Sequence, residues 1–179
     1  RPLEYHGLLK ALVADWRGKW KQPDLPFLYV QLPNYMEVQY LPSESNWAEL
    51  RFGQLKALAV PRTAMAVTID VGEWNDIHPL EKKVIGERLA LAARKLAYGD
   101  ENLVYSGPIY RSSRVENGKI TITFDHTGSG LVVKGGGDPE HFAVAGEDRK
   151  FVWADAVISG DKVIVSCQEI PDPVYVRYA

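Results

Sequence analysis

The sequence predicts an α/β chain in two parts, helices alternating with buried strands up to residue 99 and antiparallel β structure from residue 100 onward. Three observations predict it. Apolar residues recur at three- and four-residue spacing in three segments before residue 99, and two short continuous apolar runs separate those segments. Beyond residue 100 the pattern changes to short β-branched and aromatic runs broken by Gly and Asp.

A first helix is expected over residues 4–19, because Leu8, Leu9, Leu12, Val13, Trp16 and Trp20 share one face. The apolar run at 27–32, bounded by prolines, suits a buried strand of a parallel sheet. Asn46 followed by Glu49 makes a variant capping box, which opens a second helix running to about Ala59. "TAMAVTID", residues 63–70, reads as a second buried strand ending at Asp70. A third helix is expected over 79–98, with Pro79 in its first turn and Gly99 as its C-terminal cap. In the second part the runs "GKITITFDH", "GLVVKGG", "EHFAVAG", "KFVWADAVISG", "DKVIVSCQ" and "PVYVRYA" read as strands. "ENGK" and "SGDK" read as hairpin turns, and the triple glycine Gly135, Gly136, Gly137 as a loop. The domains expected are therefore residues 1–99 and 100–179.

Composition narrows the function. With 179 residues, 46% of them hydrophobic and 25% charged, the chain can bury a sizeable core. A net charge of -2, with lysines and arginines scattered among acids, offers no field for phosphates, so nucleic acid is not an expected partner. No apolar run is long enough to span a bilayer, and no membrane partner is expected. Cys167 is the single cysteine, which excludes an internal disulfide and a cysteine metal cluster. His6, His126 and His141 are not spaced to share a metal ion.

One loop carries candidate chemistry. His78 in "EWNDIHP" comes after a strand and precedes a helix, which places it beyond the carboxyl end of a strand, where α/β sheets bind ligands. It reads either as the N-cap of the third helix or as a general base. A base needs an acid to orient its imidazole, and Asp76 or Asp70 is near enough in sequence to serve. Glu73 reads as a solvated loop charge. Ser43 and Ser45 lack the strand-turn-helix elbow of a nucleophile and read as loop and cap. Trp47, Trp74, Tyr35 and Tyr40 read either as core packing or as a sugar platform.

The blocks "FLYVQLP", "WAELRFGQLKAL", "AMAVTIDVGEWNDIHPLEKKVIGERLALAARKLAYG" and "SGPIY" together resemble the sialate O-acetylesterase family, carbohydrate esterases with an SGNH-hydrolase fold. That resemblance implies a flavodoxin-like parallel sheet, of which residues 1–99 form the C-terminal part, with an accessory β domain after it. It implies a serine nucleophile activated by the loop histidine, here His78, with Asp76 or alternatively Asp70 as its acid. The family's acid often lies three residues before the histidine, and that place here is Asn75. The nucleophile, the oxyanion hole and a "QGESN"-like block are expected in a missing N-terminal half, because "RPLEYHGLLKALVADWR" resembles the family's segment immediately C-terminal to that block. This chain alone is then expected to be inactive.

Gln31, Arg51 and Gln54 fall in the matching blocks as candidate substrate-binding residues. By the same resemblance the substrate is an O-acetylated sugar, no metal or organic cofactor is needed, and the enzyme works outside the cytoplasm, secreted or periplasmic. Two other readings stand beside it: a polysaccharide deacetylase of the acetylxylan type, and a non-catalytic glycan-binding module built on the β region.

Overall fold

A computed structural model describes residues 2–178 of the chain; Arg1 and Ala179, the outermost residues of the two expected domains, lie outside the described residues. It is a mixed helix and sheet structure that divides into two compact units. The first comprises Arg1–Val38 and Ser45–Ser106, the second Gln39–Glu44 and Gly107–Ala179. The sequence puts the division after residue 99. Two ion pairs account for the difference, Arg94 to Asp100 at 2.6 Å and Lys95 to Glu101, since both tie the chain beyond residue 99 back to the preceding helix.

In the first unit, helix α1 (Tyr5–Trp20) comes after a single 3-10 turn, Pro2–Glu4, and ends at Lys21 in the left-handed region. It buries Leu9 and Val13, while Leu8, Leu12, Trp16 and Trp20, four residues apart, stay exposed. Strand β1 (Phe27–Val30) pairs in parallel with β2 (Thr63–Ala66), in register from Phe27 opposite Thr63 to Val30 opposite Ala66. Both strands are shorter than the apolar runs that predict them. All four residues of β2 are buried, and helix α3 (Lys82–Leu96) packs on both strands.

Helix α2 (Asn46–Lys56) continues into a 3-10 turn, Ala57–Ala59. Its cap is Ser45, not Asn46: the Ser45 hydroxyl accepts the Ala48 N–H at 3.2 Å from an extended backbone, so Asn46 is already helical. From α2, Gln54 reaches the far edge of β1, where its amide donates to the Val30 carbonyl (3.3 Å) and accepts from the Leu32 N–H (2.9 Å). Those are the two bonds a parallel neighbour strand makes, so a side chain closes the carboxyl end of that edge.

The second unit stacks two antiparallel sheets. One has the order β3-β4-β8-β7, from Ile109–Glu116, Lys119–Asp125, Lys162–Ser166 and Asp155–Ser159; the other has the order β6-β5-β9, from Val152–Trp153, Phe142–Ala145 and Tyr175–Tyr178. Alternate residues of β4 and β8 (Ile120, Ile122, Val163, Val165) meet Phe142 and Val144 of β5 in one core, as facing sheets require. Asn117 and Gly118, both at positive φ, turn β3 into β4, and the expected turn at Gly160 joins β7 to β8. "GLVVKGG" forms no strand; Val132 is almost wholly exposed and gives a sheet nothing to bury. Gln39–Glu44 belongs to this unit through two contacts, the Trp153 indole on the Tyr40 carbonyl (2.8 Å) and Arg177 on Glu44 (2.8 Å).

Candidate active site

The loop from β2 to α3 carries the expected site residues, and it is held at three points. The buried Thr68 hydroxyl donates to the Gln31 carbonyl at 2.5 Å, fixing the loop to the end of β1. Arg88 of α3 grips Asp70 with two bonds of 2.6 Å and donates a third to the Val67 carbonyl. Farther on, the Met36 N–H donates to the Trp74 carbonyl at 2.8 Å, joining the loop to the one that leaves β1. Gly72 lies against that second loop so closely that an added Cβ would stand 2.3 Å from Asn34 Oδ1 and 2.5 Å from the Asn34 carbonyl.

Beyond these ties the loop turns tightly through Glu73 and Asp76 and presents His78. Asp76 Oδ1 accepts the His78 backbone N–H at 2.7 Å and stands 3.3 Å from Nδ1 of its ring. One carboxylate thus fixes both the backbone and the ring of the histidine. With Nδ1 turned to the acid, Nε2 is left for other chemistry. The ring is exposed, with 82% of the side chain accessible.

His78 does not cap α3. The cap is Glu81, three residues on, and Pro79 lies before the helix rather than in its first turn. Instead, the His78 backbone N–H is bonded to Asp76, so the residue belongs to the loop turn and not to the helix start. Asp70, the alternative acid, is occupied by Arg88 and works on the loop's position. Its hydrogen bonds and charge in turn raise the Arg88 guanidinium above its ordinary value.

The other candidates sit deeper. Gln31 and Gln54 are buried, Gln31 donating to the Arg51 carbonyl (3.3 Å) and Gln54 closing the β1 edge, so both shape the strand end. The Arg51 guanidinium and the Trp47 indole both donate to the Pro33 carbonyl, and burial lowers the Arg51 guanidinium below its ordinary value. Trp47 packs at a tilt against Tyr35, with ring centroids 5.5 Å apart, while Trp74 is more than half exposed. Arg88, Thr68 and Gly72 are the positioning residues that sequence reading misses. Their partners lie 18 or more residues away, and no local pattern announces them.

The His78 N–H holds the Asp76 carboxyl below its ordinary value of 3.8, with smaller contributions from the His78 ring and Lys82. A carboxyl lowered in the folded state favours the folded loop above its unfolded pKa. That contribution is lost only as pH falls through the lower, folded value. The His78 amide proton, observed by NMR in a pH titration, is expected to shift with a midpoint below 3.8. A midpoint at or above that value would show that the contact is not made in solution.

Comparison with known proteins brings these features together. No family model matches the chain. The chain is 34% identical over 138 residues to the sialate O-acetylesterase of Mus musculus, a stretch that is 68% of this chain and 26% of that protein. It is 33% identical over 122 residues to the Homo sapiens sialate O-acetylesterase, covering 59% of this chain and 23% of that protein. The chain thus spans about a quarter of the length of these curated relatives. A solved structure, that of a carbohydrate acetylesterase from Xanthomonas citri, matches with a TM-score of 0.92 at 44% identity, over 98% of this chain and 40% of that one. With both sequence and fold matching, the chain belongs to the sialate O-acetylesterase-like family.

Proposed function

We propose that this chain supplies the general base of a carbohydrate O-acetylesterase, with His78 as the base and Asp76 as the acid that orients it. The observation that carries the proposal is the contact of His78 Nδ1 with Asp76 at 3.3 Å, on a loop tied to the carboxyl ends of two parallel strands. In this reading Nε2 takes the proton of a serine hydroxyl as its oxygen attacks the acetyl carbonyl. The imidazolium then returns the proton to the departing sugar oxygen, and the same base activates the water that releases acetate. Asp76 stabilises the imidazolium in both steps. Asp70 and Arg88 position the loop.

The serine and the oxyanion donors belong, on this proposal, to the part of the catalytic domain that this chain does not span. Two observations support it. Among the described residues β1 pairs only with β2, where an SGNH-type flavodoxin-like sheet has further strands. α1 also leaves Leu8, Leu12, Trp16 and Trp20 exposed, a stripe that further structure would cover. The substrate class is an O-acetylated sugar. Sialic acid is the first candidate, from the sialate O-acetylesterases the chain resembles, and an acetylated polysaccharide such as xylan is the second. The working compartment is outside the cytoplasm, secreted or periplasmic.

The test is acetate release from an aryl acetate, O-acetylated sialic acid and acetylated xylan. It compares the 179-residue chain with a polypeptide that joins it to the rest of the catalytic domain. An active longer polypeptide with a silent chain is the expected result. Hydrolysis by the chain alone would put the nucleophile among these residues, and no release by either would leave glycan binding without catalysis as the better reading.

A further inference from the structure

We propose that the second unit binds a neutral saccharide in an open cavity of about 490 Å³ bordered by Trp153, His141, Asp138, Glu140 and Asp155. The inference goes beyond the esterase reading and does not rest on it, because every residue in it belongs to the β unit.

Trp153 is the wall. Its backbone pairs with Ala143, and its indole N–H donates to the Tyr40 carbonyl at 2.8 Å, so the ring is held in place. Even so, 42% of the residue is exposed. An indole fixed in advance and left open to solvent offers a flat apolar face at little cost in conformational entropy, which suits the C–H face of a pyranose ring. The His141 ring stands beside it, nearly perpendicular, with centroids 6.2 Å apart. The floor is buried Phe142 and Ala156, with the Ala154 N–H bonded to the Phe142 carbonyl.

The polar groups set the ligand's chemistry. Ionised carboxylates only accept hydrogen bonds, and sugar hydroxyls donate them. Asp138 and Asp155 form no ion pair among the described residues, and Glu140 lies 3.9 Å from the His141 ring. Three carboxylates against one imidazole repel an acidic sugar, so the site favours a neutral one. A metal ion is the other ligand that carboxylates suggest, but no group of three His, Cys, Asp or Glu able to hold one occurs among the described residues.

The test monitors the Trp153 indole N–H in NMR spectra of the 15N-labelled 179-residue chain, assigned by Trp153→Phe. The chain is titrated with xylohexaose, cellohexaose, N-acetylneuraminic acid and a lysine oligomer. A saturable shift is expected with at least one neutral oligosaccharide, with Kd of about 1 mM. Asp155→Asn, a change at an exposed carboxylate, should weaken it about tenfold with the melting temperature unchanged. No saturable shift with either neutral oligosaccharide overturns the proposal. So does binding of N-acetylneuraminic acid or oligolysine as tight as that of the neutral ligands, or an Asp155→Asn variant that binds them like the parent.

Discussion

His78→Ala, made in a polypeptide that carries the whole catalytic domain, is expected to lower kcat/KM for acetyl esters by roughly 10²- to 10⁴-fold, the contribution of a well-placed general base. Folding stability should hardly change, because the side chain is 82% exposed and its ion-pair contact is with Asp76. This combination separates the proposed role from a structural one. A loop residue that only shaped the fold would lower activity in step with the melting temperature. The backbone bond from the His78 N–H to Asp76 survives the substitution, so the loop should keep its turn. Turnover within a factor of a few of the parent, with acetate measured directly, would sink the assignment.

The parts of this fold that are legible in the sequence are those where one strong local pattern acts alone. α1 and α3 have apolar residues at helical spacing, and the turns at Asn117–Gly118 and Gly160 have residues that tolerate positive φ. β3 is not among the expected strands for the opposite reason: as an edge strand it is exposed from Tyr110 to Glu116, so "YRSSRVE" has no buried side to alternate with, and only the hairpin turn at "ENGK" implies it. The apolar "GLVV" misleads in the other direction. At the candidate site, His78 and its neighbour Asp76 stand two residues apart and can be read together. The ties that hold their loop cannot be read in this way. Arg88 meets Asp70 only because α3 packs back against the sheet, and Thr68 meets Gln31 only because two parallel strands end side by side. The sequence leaves His78 between two roles, cap and base. The helix start at Lys82, with Glu81 as its cap, removes the first, and His78→Ala tests the second.

Gly72→Ala is expected to be the most damaging change outside the proposed catalytic pair, Asp76 and His78. The added methyl would meet the Asn34 carbonyl at 2.5 Å and Pro33 Cβ at 2.6 Å, distances that no side-chain rotation relieves, because the first is backbone and the second belongs to a proline ring. Asn34 Oδ1, 2.3 Å from the same methyl, is buried without a hydrogen-bond partner, so that side chain can give way and the backbone and proline contacts decide the outcome. One of the two loops must shift. Thr68 and the Asp70–Arg88 pair anchor the near side of Gly72 firmly, so the movement falls on the far side, at Trp74, Asp76 and His78. Overpacking of this kind costs about 1–3 kcal/mol, which a thermal melt of the 179-residue chain will read. The loss of function should be larger than that figure implies, since a displacement of about 1 Å at a catalytic group can cost roughly 10²-fold in rate. A drop in kcat/KM of that order in a polypeptide that carries the whole catalytic domain, with the Met36 and His78 amide resonances of the 179-residue chain displaced together, is the expected result. A Gly72→Ala protein with parent melting temperature and parent turnover would mean that the two loops are not packed in solution as they are here, and that the Asp76–His78 pair does not owe its position to their contact.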